Sequence, residues 1–91
     1  MAFIVTHINV GDYDTWKPMF DKDEPGARSA ATGYRILRGI ESPNEVYVVV
    51  EFASTEEAHA AREKIVASGV LDRFADKDLP KVLDLAEAAG Y

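Results

Sequence analysis

Glu45-Val46-Tyr47-Val48-Val49-Val50-Glu51-Phe52, followed at once by Ser54-Thr55-Glu56-Glu57, decides the fold of this chain. In the first eight residues Val46, Val48, Val50 and Phe52 fall on one face, and Tyr47 and Val49 fall on the other between two glutamates. Successive side chains of a strand point to opposite faces, so this is a β-strand with one fully apolar side, of the kind found in the middle of a sheet. In the next four, a serine stands three residues before a glutamate. That is a capping box, in which the serine oxygen accepts a first-turn N–H of a helix. The helix is expected to run on through Ala58, Ala61 and Ile65 to Ser68, with Gly69 as its stop.

Working outward, Ser42-Pro43-Asn44 is turn chemistry, so Tyr34–Ile40 is read as the strand that pairs with 45–52 in a hairpin. Towards the N-terminus, Phe3–Val10 alternates as well. Ile4, Thr6, Ile8 and Val10 form the row expected to face helices, and Phe3, Val5, His7 and Asn9 form the opposite row. Gly11 and Asp12 end that strand. Asp14 is the expected N-cap of a helix at Thr15–Phe20, with Pro18 near its first turn and Trp16, Met19 and Phe20 as an apolar stripe. Ala27–Ala31 reads as a second short helix and Val70–Ala75 as a further turn of helix. After Pro80, Lys81–Ala86 reads as a strand, although Val82, Leu85, Ala86 and Ala89 also fit a helical stripe. Strand is preferred, because the order β-α-β-β-α-β is the split βαβ of ferredoxin-like α+β domains and needs a fourth strand beside the first. Such a sheet has helices for one face only.

The remaining bounds are compositional. With 91 residues and 47% hydrophobic content, residues 1–91 make one globular domain. A domain of that size gains from pairing with a second copy. The absence of cysteine excludes disulfides, thiolate metal sites and cysteine nucleophiles. A net charge of −6 with scattered basic residues argues against nucleic acid as a partner. No apolar stretch approaches the roughly 20 residues of a membrane span. The opening Met1–His7 reads as a strand, so the expectation is a cytoplasmic protein without a membrane partner.

Val5-Thr6-His7-Ile8-Asn9-Val10 with Asp12–Asp21, Arg35-Ile36-Leu37-Arg38-Gly39, Pro43-Asn44-Glu45-Val46 and the helix start at Ser54–Ala61 resemble small dimeric α/β-barrel proteins related to antibiotic biosynthesis monooxygenases. The resemblance covers most of the chain and is weakest after Gly69. It implies two ferredoxin-like subunits paired sheet against sheet, helices outside, and a pocket on each subunit's inner face. Members include cofactor-independent oxygenases of polyketide phenols, haem-degrading enzymes, isomerases and proteins without known activity. The haem-degrading branch uses an Asn, a Trp and a His. Asn9 suits the first, but Trp16 lies in the first helix and His59 on an Ala-rich stretch of the second, so the triad does not transfer.

Among candidate site residues, His7 is the one side chain of a strand interior that titrates near neutrality. It is either a general base or a histidine satisfied by a carboxylate in a dimer interface. Asn9, on the same face, either orients a carbonyl or phenol or ends the strand. Trp16 and Phe20 either roof an aromatic ligand or belong to the core. Tyr34 and Tyr47 are expected on the non-helix face, lining a cavity or packing between subunits. Arg38 either binds an anionic substrate or pairs with Glu51. Two histidines 52 positions apart offer no metal-ligand spacing, and there is no phosphate loop, nucleophile elbow, flavin motif or nicotinamide motif. The expected mechanism has His7 deprotonate a phenol, Asn9 and Tyr47 hold the anion, and Trp16 with Tyr34 pack the ring, with no bound cofactor. The competing expectation is a non-enzymatic dimer that carries a small apolar or aromatic ligand or acts as a stress-related module. The two are to be distinguished by whether a cavity opens on the non-helix face. A regulatory effector domain is disfavoured, because no DNA-binding element accompanies it.

Overall fold

A computed structural model describes residues 1–90. Its elements are β1 (Ala2–Asn9), α1 (Tyr13–Lys22), β2 (Ala31–Arg38), β3 (Glu45–Phe52), α2 (Thr55–Ser68), a single 3-10 turn (Val70–Arg73) and β4 (Lys77–Asp84). The strands form one antiparallel sheet in the order β2-β3-β1-β4. This is the ferredoxin-like arrangement expected, with the fourth strand beside the first.

The alternation read in β1 and β3 holds. Ala2, Ile4, Thr6 and Ile8 are buried on one face together with Val46, Val48, Val50 and Phe52, and Ala58 and Ala61 of α2 and Trp16 of α1 close over them. Small alanines let α2 approach the sheet. Their burial, with that of Phe52 and Val46, supplies the main apolar stabilisation, on the order of 25 cal/mol per Å² removed from water. The helix starts where the capping box puts it: Ser54 Oγ accepts the Glu57 N–H at 3.1 Å. It stops at Gly69, whose φ of 70° few residues with a side chain adopt.

Several expectations need correction. α1 begins at Tyr13 and its N-cap is Asp12, not Asp14. The Asp12 carboxylate accepts the Thr15 hydroxyl at 2.6 Å, while Asn44 Oδ1, reaching across from the β2–β3 hairpin, accepts the Tyr13 N–H at 3.0 Å. Pro18 therefore sits in the second turn, and its missing N–H leaves the Asp14 carbonyl without its helical donor. Residues 27–30 are turns instead of a helix, and β2 starts at Ala31. β2 ends at Arg38, and the next residue has to be glycine: at Gly39 an added Cβ would come within 2.7 Å of the Ser42 carbonyl oxygen. β4 begins at Lys77, four residues earlier than read, and ends at Asp84. The Ala-rich 85–90 is neither helix nor strand. Pro80 is accommodated because β4 is an edge strand with a register shift opposite Val5–His7, where a backbone N–H is not needed.

Candidate functional site

The sheet divides the sequence-selected residues into two groups. Residues paired across antiparallel strands share a face. His7 lies opposite Tyr47, and Tyr47 opposite Leu37, so these belong to the open face. Tyr34 lies opposite Val50 and Arg38 opposite Val46, so both belong to the helix face. The expectation that Tyr34 shares the open face with Tyr47 is therefore wrong. The register of β2 against β3 sets the face on which each β2 side chain lies.

On the helix face, the α1 stripe and β2 build an aromatic row. Tyr13 and Trp16 have ring centroids 5.7 Å apart, Trp16 and Phe20 5.1 Å, and Phe20 and Tyr34 5.3 Å in an edge-on contact. Two arginines cap the row. The Arg38 guanidinium lies 3.9 Å over the Tyr13 ring and donates through Nε to the Pro43 carbonyl at 2.9 Å. It makes no pair with Glu51, which instead accepts the Thr32 hydroxyl at 2.5 Å. Arg28 lies 3.8 Å over Phe20, donates to the Phe20 carbonyl and sits 3.6 Å from the Asp23 carboxylate. Both arginines are committed to cation–π and main-chain contacts.

Between this row, α2 and the sheet lies a cavity of about 120 Å³. Ile4, Thr6 and Val48 line it from the sheet, Trp16 and Phe20 from α1, and Ile65 from α2, with Phe74 beyond. Its lining is overwhelmingly apolar. Thr6, buried in the middle of β1, is the polar member of the strand's inward row and lines the cavity. A dry apolar cavity of ~150 Å³ accommodates a benzene ring, so the space suits one planar ring. Within the single chain this cavity lies under the helices, on the side of the sheet opposite to the open face.

The open face carries a polar cluster. His7, on β1, has Nε2 at 2.7 Å from Glu45 Oε1 of β3 and Nδ1 at 3.0 Å from Asp78 Oδ2 of β4. Its ring stacks on Tyr47 at 4.5 Å with the planes 23° apart. Partial burial pulls the imidazole pKa down, but the hydrogen bonds and charges of the two carboxylates outweigh it and raise the pKa above its ordinary value. Around the cluster lie Phe3, Val5, Val49, Leu37 and Leu83, half-buried or exposed. Asn9, at the end of the same row, is exposed, and its Oδ1 accepts the Gly11 N–H at 3.0 Å, which closes the turn after β1.

The constellation of His7 with Trp16 and Tyr34 is therefore not assembled within one chain, because the sheet lies between them. Sequence reading passed over Asp78, which lay before the expected start of β4, and Thr6, which passed as an ordinary β-branched core residue. Arg28 was hidden in the expected helix at 27–31. The inward register of Thr6 was the available signal for a polar group in the core. Among the described residues no cluster of metal-ligating side chains is found, and no helix is long and apolar enough to cross a membrane.

No sequence-family model matches the chain, and no curated protein matches it. Among solved structures, the chain is similar over 100% of its length, and 98% of the other's, to a Deinococcus radiodurans protein provisionally described as an antibiotic biosynthesis monooxygenase, with a TM-score of 0.66 and 11% identity. At that identity the likeness establishes a common fold. The resemblance read from β1, α1 and the β2–β3 hairpin thus holds at the level of architecture: this chain has the fold of that protein.

Proposed function

We propose that this protein is a homodimeric binder of a small, planar, largely apolar molecule carrying one hydrogen-bonding group, held between the helices and the sheet of each chain. The cavity beside Trp16 carries the reading: it takes one ring, is walled by apolar side chains and has the Thr6 hydroxyl at its floor. The ring would stack against Trp16 and Phe20, and its polar substituent would bond to Thr6. A hydrogen bond between that substituent and the Thr6 hydroxyl would offset the desolvation of both.

The pairing half of the proposal is supported by the open face. Phe3, Val5, Val49, Leu37 and Leu83 give it an apolar content that a lone sheet would leave in water. The fold relative's provisional name suggests oxygenation as a reaction. We read binding instead, because His7, the side chain suited to deprotonating a phenol, lies across the sheet from the cavity, and His59 is exposed on α2.

The test is the emission of Trp16, the single tryptophan, during titration with 4-nitrophenol, a ring of the right size that quenches indole on contact. Saturable quenching at one ligand per chain, abolished by Ala27→Leu at the cavity wall, is the expected result. Quenching that rises linearly without saturation, or that Ala27→Leu leaves unchanged, refutes binding in this cavity.

A further inference from the structure

We propose that His7, Glu45 and Asp78 form a proton-operated lock on the pairing of two copies, closed at mildly acidic pH and loosened above neutrality. This rests on the reading that the open sheet face meets a second copy. The lock adds a control to that contact.

The geometry of the cluster specifies its protonation. Each ring nitrogen of His7 has a carboxylate oxygen within 3.0 Å. Ionised carboxylates only accept hydrogen bonds, so both contacts are hydrogen bonds only when both ring nitrogens carry protons. In the imidazolium form the three groups together carry a charge of −1 and every short contact is a donor–acceptor pair. Loss of one proton leaves a ring lone pair facing a carboxylate oxygen, and the cluster carries −2.

On an uncovered sheet that change is cheap. The Asp78 side chain is 72% exposed and that of Glu45 38%, so water solvates whatever the imidazole releases. Covering the face withdraws that water, and a carboxylate buried without its cation is strongly disfavoured. Among the described residues, the imidazolium is the one cation in contact with either carboxylate. Of the groups facing His7, Glu45 and Tyr47 come from β3, and Asp78 and, opposite Val5, Lys81 from β4; Val5 and Asn9 flank it on β1. Lys81 and, on the same face of β2 opposite Val49, Arg35 make no ion pair among the described residues and stand apart from Glu45 and Asp78. Leu37, opposite Tyr47, is apolar. Pairing therefore selects the protonated cluster, and a symmetric pair contains two of them. Linkage then weakens association by up to about a hundredfold per pH unit between the His7 pKa of the separate chain and its higher value in the pair.

The dimer dissociation constant, measured by light scattering and sedimentation over a dilution series at pH 6.0 and pH 8.5, tests this. The expected result is a constant at least tenfold larger at the higher pH in the wild type. His7→Gln, which cannot gain a proton, and the double variant Glu45→Gln/Asp78→Asn, in which a neutral ring is fully satisfied, should each show constants equal within twofold at the two pH values. A wild-type dimer of equal strength at both pH values overturns the lock and leaves the dimer standing. A wild type that is monomeric throughout overturns the pairing itself. A wild-type slope that persists in whichever of the variants folds assigns the linkage to other groups and overturns the lock as well.

Discussion

His7 Nε2 meets Glu45 Oε1 at 2.7 Å, although the residue directly opposite His7 on β3 is Tyr47 and Glu45 is its diagonal neighbour. The imidazole thus stacks on one β3 side chain and bonds to the next on the same face, while Asp78 fixes its other nitrogen from β4. One side chain ties three strands together, and the structure sets several expectations for the chain by itself.

The first is a pH dependence of folding. The His7 pKa is raised in the folded state, so its contribution is complete below the unfolded value of about 6.5 and is lost as pH rises through the higher folded value. Tm measured at fixed low protein concentration should therefore fall between pH 6 and pH 8.5 in the wild type, and His7→Gln should flatten that decline. An identical decline in both proteins would contradict the assignment.

The second concerns the core. Phe52 is fully buried at the end of β3, and truncation to alanine removes its apolar contacts and leaves a cavity. Phe52→Ala should cost about 3–5 kcal/mol in urea unfolding. Ile40, 99% exposed at the hairpin tip, gives the contrast: Ile40→Ser should lie within about 0.5 kcal/mol of wild type.

Helix capping gives a smaller, local effect. Ser54 Oγ accepts the Glu57 N–H at 3.1 Å and donates to the Glu57 carboxylate. Ser54→Ala should destabilise the chain by about 1 kcal/mol, and Ser54→Asp should retain most of the wild-type stability. Chemical denaturation of the three proteins side by side checks the order.

Pairing through the open face predicts a clean separation of fold from assembly. Leu37, 55% exposed on β2, lies opposite Tyr47 on the face of the proposed contact. Leu37→Glu should leave the circular dichroism spectrum unchanged while shifting the native mass from dimer to monomer at micromolar concentration. A variant that remains dimeric places the contact elsewhere.

The fold was largely legible because its signals are local. Period-two alternation in β1 and β3, the capping box at Ser54 and the stop at Gly69 each act within a few residues, and each fell where it was read. The site was less legible because it depends on register. Nothing local says that Tyr34 lies opposite Val50, or that Asp78 reaches His7 after a shift in the β1–β4 pairing. β4 was read short because Pro80 suggests a boundary, whereas an edge strand tolerates it. The Ala-rich end has helical propensity, but among the described residues no core contact supports a helix there, and short isolated helices are marginal in water. Trp16 and Phe20 were placed correctly as an aromatic pair on α1. Which catalytic candidate they accompany was decided by the sheet between them and His7.

The most direct test of the account is to find where a bound ring sits. With p-cresol added to methyl-labelled protein, nuclear Overhauser contacts from the ring protons report the lining methyl groups. Contacts to Ile4, Ile65 and Val48 are the predicted result. Contacts to Val5, Val49 and Leu37 would place the ligand on the open face beside His7 and contradict the account.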